Sequence, residues 1–366
     1  MSALEKVVIV GPLPPPAGGM ANQTRKLAEF LISEHLDVAI VQMNKPYKPS
    51  WIGNIPLVRA LFRLVPYFFD LYKQIKTADV VHIMANSGWS WHLFTTPAVI
   101  IARLLSKPII INYRGGYARD FFEQSWWLVK RTLNKAHAIV VPSTFLEEVF
   151  ADFNKSADIV PNVLDQEVFS PKTQASDITA PHLIVTRNLE AIYDVATAIK
   201  AFALIKAQFP QAKLSVAGTG PELANLQQLA AALNVTDSVN FTGRLDPDGI
   251  AKLYKSADVM LNTSTVDNTP NSIIESLACG TPVVSSNVGG IPKLVTHQHD
   301  ALLINVGDAQ SMATLVVEIL ENKSLRDSLI KNGLATISRF YWPNVWMKLK
   351  NCYDRAILLN HGERAK

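Results

Sequence analysis

Cysteine is nearly absent: the 366 residues hold two, Cys279 and Cys352. Two isolated thiols make neither a disulfide framework nor a metal-ligand spacing, so both are expected as small buried residues in a reducing cytoplasm. Long hydrophobic runs are missing as well. The longest apolar region, Thr95–Asn112, is broken by Arg103, Lys107 and Pro108, and it falls short of the roughly 20 apolar residues a spanning helix needs. The opening run Val7–Val10 is too short for the core of a secretory signal and has no small-residue cleavage site after it; it reads as a first strand. The G-x-G-x-x-G dinucleotide fingerprint is absent, which argues against a nicotinamide dehydrogenase. No internal repeat or low-complexity tract stands out.

What is present is the composition of a folded chain, 48% hydrophobic and 18% charged. The length suggests two domains, each large enough to bury its own core. The net charge of +4 is unevenly spread: residues 41–135 hold 13 Lys and Arg against four acids, a local excess of +9, leaving −5 for the remainder. A basic segment in the N-terminal half suggests an acidic partner there.

Short apolar runs alternate with longer helix-like stretches. Val7–Val10, Val38–Val41, Val80–Met84, Ile109–Asn112, Ile139–Val141 and Ile159–Val160 read as buried strands. The pattern pauses over the polar stretch Asp165–Pro181. It restarts with Leu183–Thr186, Lys213–Ala217, Val239–Phe241, Val259–Leu261 and Pro282–Ser285. Strands alternating with helices imply parallel sheets covered on both faces. The expected fold class is therefore α/β: two doubly wound Rossmann-like domains facing across a cleft, residues 1–165 and 166–340, joined near 165–180. Such sheets bind ligands at the carboxyl ends of their strands.

The strand Val259–Leu261 leads into a loop and a short helix. Thr269 is the expected N-cap and Pro270 the first helical residue; Gly280 and Pro282 end the helix. Asp267 then lies in the loop before the helix and Glu275 within it. A helix N-terminus suits phosphate, and a carboxylate accepts two hydrogen bonds from neighbouring sugar hydroxyls. For the acids alone a competing reading stands: Asp267 favours the helix dipole and Glu275 is a solvated surface residue.

The wider context is more specific. The stretches VIVGPLPPPAGGM, ADVVHIM, VVPSTFLEEVF, IVPNVLDQEVF, SVAGTGPEL, VNFTGRL, YKSADVMLNTS and ESLACGTPVVSSNVGGIPKLV occur in this order. In that order and spacing the chain resembles the retaining glycosyltransferases of family four, which have the GT-B fold. The resemblance runs nearly end to end. It implies that Glu275 holds the donor ribose, that Asp267 contacts the transferred sugar, and that the backbone around Asn268, Pro270, Asn271 and Ser272 faces the phosphates. The acidic pair has the family spacing, with Asp where the first acid is usually Glu. The family's Arg is matched by Arg187, whose planar fork suits phosphate, but the Lys six residues later is replaced by Tyr193. Gly18 and Gly19 open a helix over about Met20–Ile32, and the resemblance implies that this loop approaches the donor. Gly218, Gly220 and Gly243 follow strands, where glycine permits close approach to a ligand; tight turns alone are the competing reading.

Arg114 stands where the family often has His, followed by Gly115 and Gly116. Arginine stays protonated and cannot serve as a general base, but it could neutralise a leaving phosphate or orient the acceptor. His82 and His92 read as structural. The segment Trp51–Tyr72 mixes aromatic and aliphatic residues with Arg59 and Arg63. It reads either as a surface resting on anionic membrane, where a lipid-linked acceptor would be found, or as a helix packed on the first domain.

The resulting expectation is transfer of a sugar from a UDP- or GDP-sugar to a hydroxyl of a glycan or lipid-linked acceptor, with retention, in polysaccharide or glycolipid synthesis. Arg114, Arg187 and Asp267 are the catalytic candidates. No metal, cofactor or nucleic acid is expected, and the expected location is the cytoplasm or the inner face of the membrane. The tail from 341 resembles the family's closing helix, which packs back on the first domain. The substitutions at 114, 193 and 267 keep a non-catalytic nucleotide-sugar-binding protein as the alternative.

Overall fold

Among the described residues twelve parallel strands form two six-stranded sheets. The computed structural model describes residues 4–15, 19–47, 56–115, 117–172 and 179–364, the side chains of 56–61 excepted. The chain divides into two compact units: Met1–Val163 with Trp342–Lys366, and Leu164–Tyr341.

In the first unit the strands are β1 (Lys6–Gly11), β2 (Asp37–Gln42), β3 (Val80–Ala85), β4 (Ile109–Tyr113), β5 (Ala138–Val141) and β6 (Asp158–Ile159), in the spatial order β2-β1-β3-β4-β5-β6. Their sequences are rich in Val and Ile because both faces are covered. Side chains alternate between faces along a strand, so Val8, Val10, Val81, Ile83 and Ile111 join one core while Val7, Ile9, Val80, Met84 and Ile110 join the other. That second core is closed by the last helix, Trp342–Arg364, through Trp342, Val345, Leu349, Cys352, Tyr353 and Ala356. Their three- and four-residue spacing sets one apolar stripe along that helix.

In the second unit the strands are β7 (His182–Val185), β8 (Lys213–Ala217), β9 (Val239–Gly243), β10 (Val259–Asn262), β11 (Val283–Ser286) and β12 (Leu302–Ile304), ordered β12-β11-β10-β7-β8-β9. β7 and β10 lie side by side although three helices and two strands separate them in sequence. Here the strand order reverses direction, which makes the carboxyl ends of these two strands the topological switch point where such sheets take ligands.

The α/β class with two doubly wound parallel sheets is borne out. Two local expectations change. Within the stretch expected as the linker, near 165–180, Phe169 is buried in the second unit's core beside Ile184 and Met260. A sixth strand of the second sheet, β12, was not anticipated; three residues give too little periodicity to read.

Candidate functional site

The carboxyl ends of β7 and β10 bring the predicted donor residues together. Arg187 follows β7 and Asp267 follows β10, and they form a salt bridge, with side chains 13% and 11% exposed. The other guanidinium contacts are with hydroxyls. Nη2 reaches Ser264 Oγ at 3.3 Å and Nη1 reaches Ser272 Oγ at 3.4 Å. Burial raises the Asp267 carboxyl above the ordinary carboxylate value, and the Arg187 charge opposes that rise. A desolvated acid is thus held by one cation, a pairing that low polarity makes strong and costly to break.

Tyr193 does not supply the missing cation. Its ring lies under the Arg187 guanidinium, 4.3 Å from Cζ to centroid, so the residue that replaces the family's lysine is a platform for the arginine. The short 3-10 turn Ala191–Tyr193 is itself tied to the loop after β10: Thr263 Oγ1 donates to the Tyr193 carbonyl at 2.9 Å and the Thr265 N–H to that of Ile192 at 2.8 Å.

The helix after this loop is Asn271–Ala278, one residue later than expected. Pro270 is its N-cap, with an extended ψ of 115°, and its carbonyl accepts from the Ile273 N–H at 3.1 Å. Thr269 does not cap the helix; its hydroxyl lies 3.4 Å from Asn268 Oδ1. Asn271 and Ser272 therefore begin the first turn, where the helix dipole places partial positive charge. Glu275, one turn on, accepts from the Tyr254 hydroxyl at 3.3 Å, and that hydroxyl is 2.7 Å from Thr186 Oγ1. Burial and the Glu275 charge together push the Tyr254 phenol well above its usual value, so it stays a donor.

Sequence reasoning overlooked the residues that hold this loop in shape. Gly289 and Gly290 sit against it: a Cβ at either would lie 2.0 Å from the carbonyl oxygen of Asp267 or Asn268. The Gly290 N–H donates to the Asp267 carbonyl at 3.0 Å. The adjacent glycines in the motif were the available signal. Beneath them Asn262, Ser264, Ser285 and Ser286 form a buried polar ladder at the ends of β10 and β11. Asn262 Nδ2 donates to Ser285 Oγ at 2.9 Å, and Ser286 Oγ donates to the Ser264 carbonyl at 2.6 Å.

The glycines just after β8 and at the end of β9 differ in kind. Gly218 lies against the Arg187 backbone, where a Cβ would meet the Arg187 carbonyl oxygen at 2.0 Å, and a Cβ at Gly220 would meet that of Leu189 at 2.2 Å. Both fix the Arg187–Leu189 loop. Gly243 has φ +73° with open space around it. Gly19 starts the helix Gly19–Ser33 and also faces open space. Gly18 and Gly116 lie outside the described residues.

Arg114 belongs to the first unit, just past β4. It ends a chain of hydrogen bonds: Arg114 Nε donates to Asn112 Oδ1 at 3.0 Å, Asn112 Nδ2 meets His82 Nε2 at 2.9 Å, and His82 Nδ1 meets the Tyr353 hydroxyl at 2.9 Å. Arginine only donates, so the Asn112 amide nitrogen must donate to Nε2, and His82 carries its proton on Nδ1. Burial, aided by the Arg114 charge, lowers the His82 pKa to about 3; the ring is neutral and structural. Burial also lowers Arg114 to about 10, leaving it cationic at neutral pH, with Nη1 shielded and unpartnered.

Among the described residues no group of three His, Cys, Asp or Glu could hold a metal ion. No described helix is long and apolar enough to cross a membrane. Cys279 and Cys352 are buried free thiols, each pushed up to about 12 by burial.

Comparison with known proteins agrees with this geometry. Residues 17–168 match the model described as Glycosyltransferase Family 4, and residues 169–336 the model described as Glycosyl transferases group 1. The chain is 28% identical over 207 residues to N-acetyl-alpha-D-glucosaminyl L-malate synthase of Bacillus anthracis, a match covering 54% of this chain and 50% of that one. It is 24% identical over 291 residues to alpha-monoglucosyldiacylglycerol synthase of Streptococcus pneumoniae, covering 72% and 64%. The chain thus spans about half to two thirds of the length of these curated relatives. The crystal structure of Anabaena Alr3699/HepE in complex with UDP superposes with a TM-score of 0.71 at 18% identity, covering 95% of this chain and 98% of that one. With two family models running end to end from residue 17 to residue 336, the chain belongs to the family-four glycosyltransferases of the GT-B type.

Proposed function

We propose that this protein transfers a sugar from a UDP- or GDP-sugar to a hydroxyl of a glycan or lipid-linked acceptor, with retention, in polysaccharide or glycolipid synthesis. The observation that carries the reading is the convergence of Arg187, Asp267 and Ser272 at the start of the helix Asn271–Ala278. An arginine fork, a helix N-terminus and hydroxyl groups suit a diphosphate. A carboxylate one turn along, held by Tyr254, suits a ribose diol.

In this reading Glu275 accepts from the ribose hydroxyls, and the backbone from Asn268 to Ser272 faces the diphosphate. Asp267 orients the transferred sugar, with Gly18, Gly19, Gly218 and Gly243 bordering the donor. The anomeric C–O bond to the diphosphate breaks as the acceptor oxygen bonds to the same carbon, and the acceptor's proton passes to the departing phosphate oxygen. Arg187 stabilises the charge developing on that phosphate, and Arg114 contributes a second cation toward it or orients the acceptor. The first unit is assigned to the acceptor and the second to the donor. The basic segment 41–135, with its net +9, supports peripheral contact with anionic membrane on the cytoplasmic face.

A thermal-shift panel of UDP-, GDP- and ADP-sugars followed by nucleotide-release assays tests the reading. Release that requires both donor and a hydroxyl acceptor is expected. Binding without release under any acceptor would favour the non-catalytic nucleotide-sugar binder, and no binding of any nucleotide sugar would sink both.

A further inference from the structure

The first unit holds a cavity that donor chemistry does not use. At the carboxyl end of β2 the chain turns at Asn44, whose amide grips the Leu13 backbone at 2.9 and 2.7 Å. The residues that follow close against the helix Pro56–Ile75 around a cavity of about 510 Å³. This is the size range of ligand sites, and its position beyond the end of a parallel strand is where such sheets take ligands. The wall is largely apolar: Met43, Pro46, Tyr47, Phe62, Pro66 and Tyr67.

Its polar groups are not equivalent. The Tyr67 hydroxyl is committed to the Phe94 carbonyl at 2.8 Å, Lys45 pairs with Asp70, and Gln42 Nε2 donates to Asn44 at 3.2 Å. Arg63 is different. Its guanidinium lies 4.3 Å over the Tyr47 ring, and its Nε is sealed from solvent without an acceptor. A guanidinium stacked on an aromatic ring in an otherwise apolar cavity wall suits an anion at its outer edge.

One wall residue also belongs to a second surface. Phe62, Val65, Phe69 and Tyr72 recur at three- and four-residue spacing on the same helix and are each at least half exposed, Phe69 by 70%. The stripe runs from the cavity mouth for roughly 15 Å at 1.5 Å per residue. An exposed apolar line of that length beginning at a cation fits an extended hydrocarbon chain attached to an anionic head, and the surplus of positive charge in residues 41–135 selects the same sign.

We propose that this cavity is the head-group site of a membrane-resident anionic amphiphile, a phosphate or carboxylate on an apolar chain, with the anion on Arg63 and the chain along Phe62, Val65, Phe69 and Tyr72. The site rests on the transferase reading only in that such a lipid would be the acceptor or its carrier; binding itself does not depend on transfer.

The test uses the full chain, wild type and Arg63→Gln, with monomeric dihexanoyl phosphatidic acid, dihexanoyl phosphatidylcholine, inorganic phosphate, and vesicles of phosphatidylglycerol and phosphatidylcholine. Calorimetry should show phosphatidic acid binding to wild type, weakened at least about tenfold by Arg63→Gln, in line with loss of a charge-assisted hydrogen bond. Phosphatidylcholine and inorganic phosphate should bind at least tenfold more weakly than phosphatidic acid. Phe69→Ser should weaken phosphatidic acid as well, while both variants keep the wild-type melting temperature to within about 2 °C. Three results would overturn the proposal: phosphatidic acid affinity unchanged in Arg63→Gln, inorganic phosphate bound as tightly as the lipid, or vesicles bound alike by wild type and Arg63→Gln with no binding of the monomeric lipid. UDP affinity is measured on the same samples. Its absence from wild type would remove the donor reading and leave the lipid site standing.

Discussion

The Arg187 guanidinium rests 4.3 Å above the Tyr193 ring while its outer edge pairs with Asp267. The ring fixes the plane of the fork, and the carboxylate fixes its direction. Removing the ring in Tyr193→Ala should raise the donor KM about 2- to 30-fold, the range of a cation–π contact of about 0.5–2 kcal/mol, while Tyr193→Phe should stay near wild type. Steady-state nucleotide release measures both, and an unchanged KM in Tyr193→Ala would show that the ring is only a neighbour.

The two carboxylates should separate kinetically. Asp267→Asn keeps the shape but leaves Arg187 without its counter-charge, and turnover is expected to fall about 10²-fold with donor affinity nearly kept. Glu275→Gln removes a charged acceptor for the ribose and should instead weaken donor affinity by about 10-fold or more, since hydrogen bonds to charged groups are worth about 1.5–3 kcal/mol. Titration calorimetry with UDP alongside turnover reads the split. Equal effects of both variants on affinity would contradict the assigned roles.

Glycine substitutions should sort by space. A Cβ at Gly290 would stand 2.0 Å from the Asn268 carbonyl oxygen, a backbone atom, whereas one at Gly19 meets nothing within 4 Å. Gly290→Ala should therefore displace the Asp267–Asn268 turn, costing more than about 2 kcal/mol and most of the activity. Gly19→Ala should leave thermal stability within about 0.5 kcal/mol. A fall in donor affinity in that variant would then report close approach of the loop to the ligand, and unchanged affinity would remove Gly19 from the site.

His82 makes acid sensitivity measurable. Its ring is held neutral down to about pH 3, against an ordinary value of 6.5. Between those values the unfolded chain takes up a proton that the folded chain refuses, so stability is full above pH 6.5 and declines as pH falls toward 3. At about 1.4 kcal/mol per unit, this group accounts for about 2 kcal/mol of the difference between pH 7 and pH 5. The six tryptophans among the described residues belong to the first unit, and the sequence of the second unit has none, so indole fluorescence in urea follows the unit that contains His82. In His82→Gln the difference between pH 7 and pH 5 should shrink by about 2 kcal/mol, whatever the variant's absolute stability. No shrinkage would mean that the ring is protonated in the fold.

All six strands of the first sheet and five of the second were legible as short apolar runs; in the central strands β1, β3, β4, β7 and β10 burial on both faces demands apolar residues, and the partly exposed β2, β6 and β9 keep enough of them to be read. The acidic pair Asp267 and Glu275 was legible from spacing around a helix start. The cap at Pro270 was not, because threonine followed by proline reads locally as a cap and first turn, while the backbone at Pro270 stays extended through its own carbonyl bond to Ile273. Tyr193 read as a lost cation; that it supports the cation already there depends on a contact between a turn and a strand end. The ladder of Asn262, Ser264, Ser285 and Ser286 was invisible, since isolated polar residues at strand ends look like ordinary loop composition until β10 and β11 are paired.

The helix Trp342–Arg364 has a consequence for the order of synthesis. The chain completes all six strands of its first sheet by Ile159, yet over β3, β4 and β5 one face of that sheet is covered by the helix made last, which adds Val345, Leu349, Tyr353 and Ala356 to the core that Leu27 and Leu31 cover elsewhere. The His82 ring likewise meets its Tyr353 partner across 271 residues of sequence. During translation the first unit must therefore wait, with Ile110 and Val140 short of their final cover, while the second unit emerges. The interval is set by ribosome speed over roughly 180 residues, on the order of 10–40 s at 5–20 residues per second. Loss of the final helix would therefore open the core of the N-terminal unit rather than merely shorten the chain.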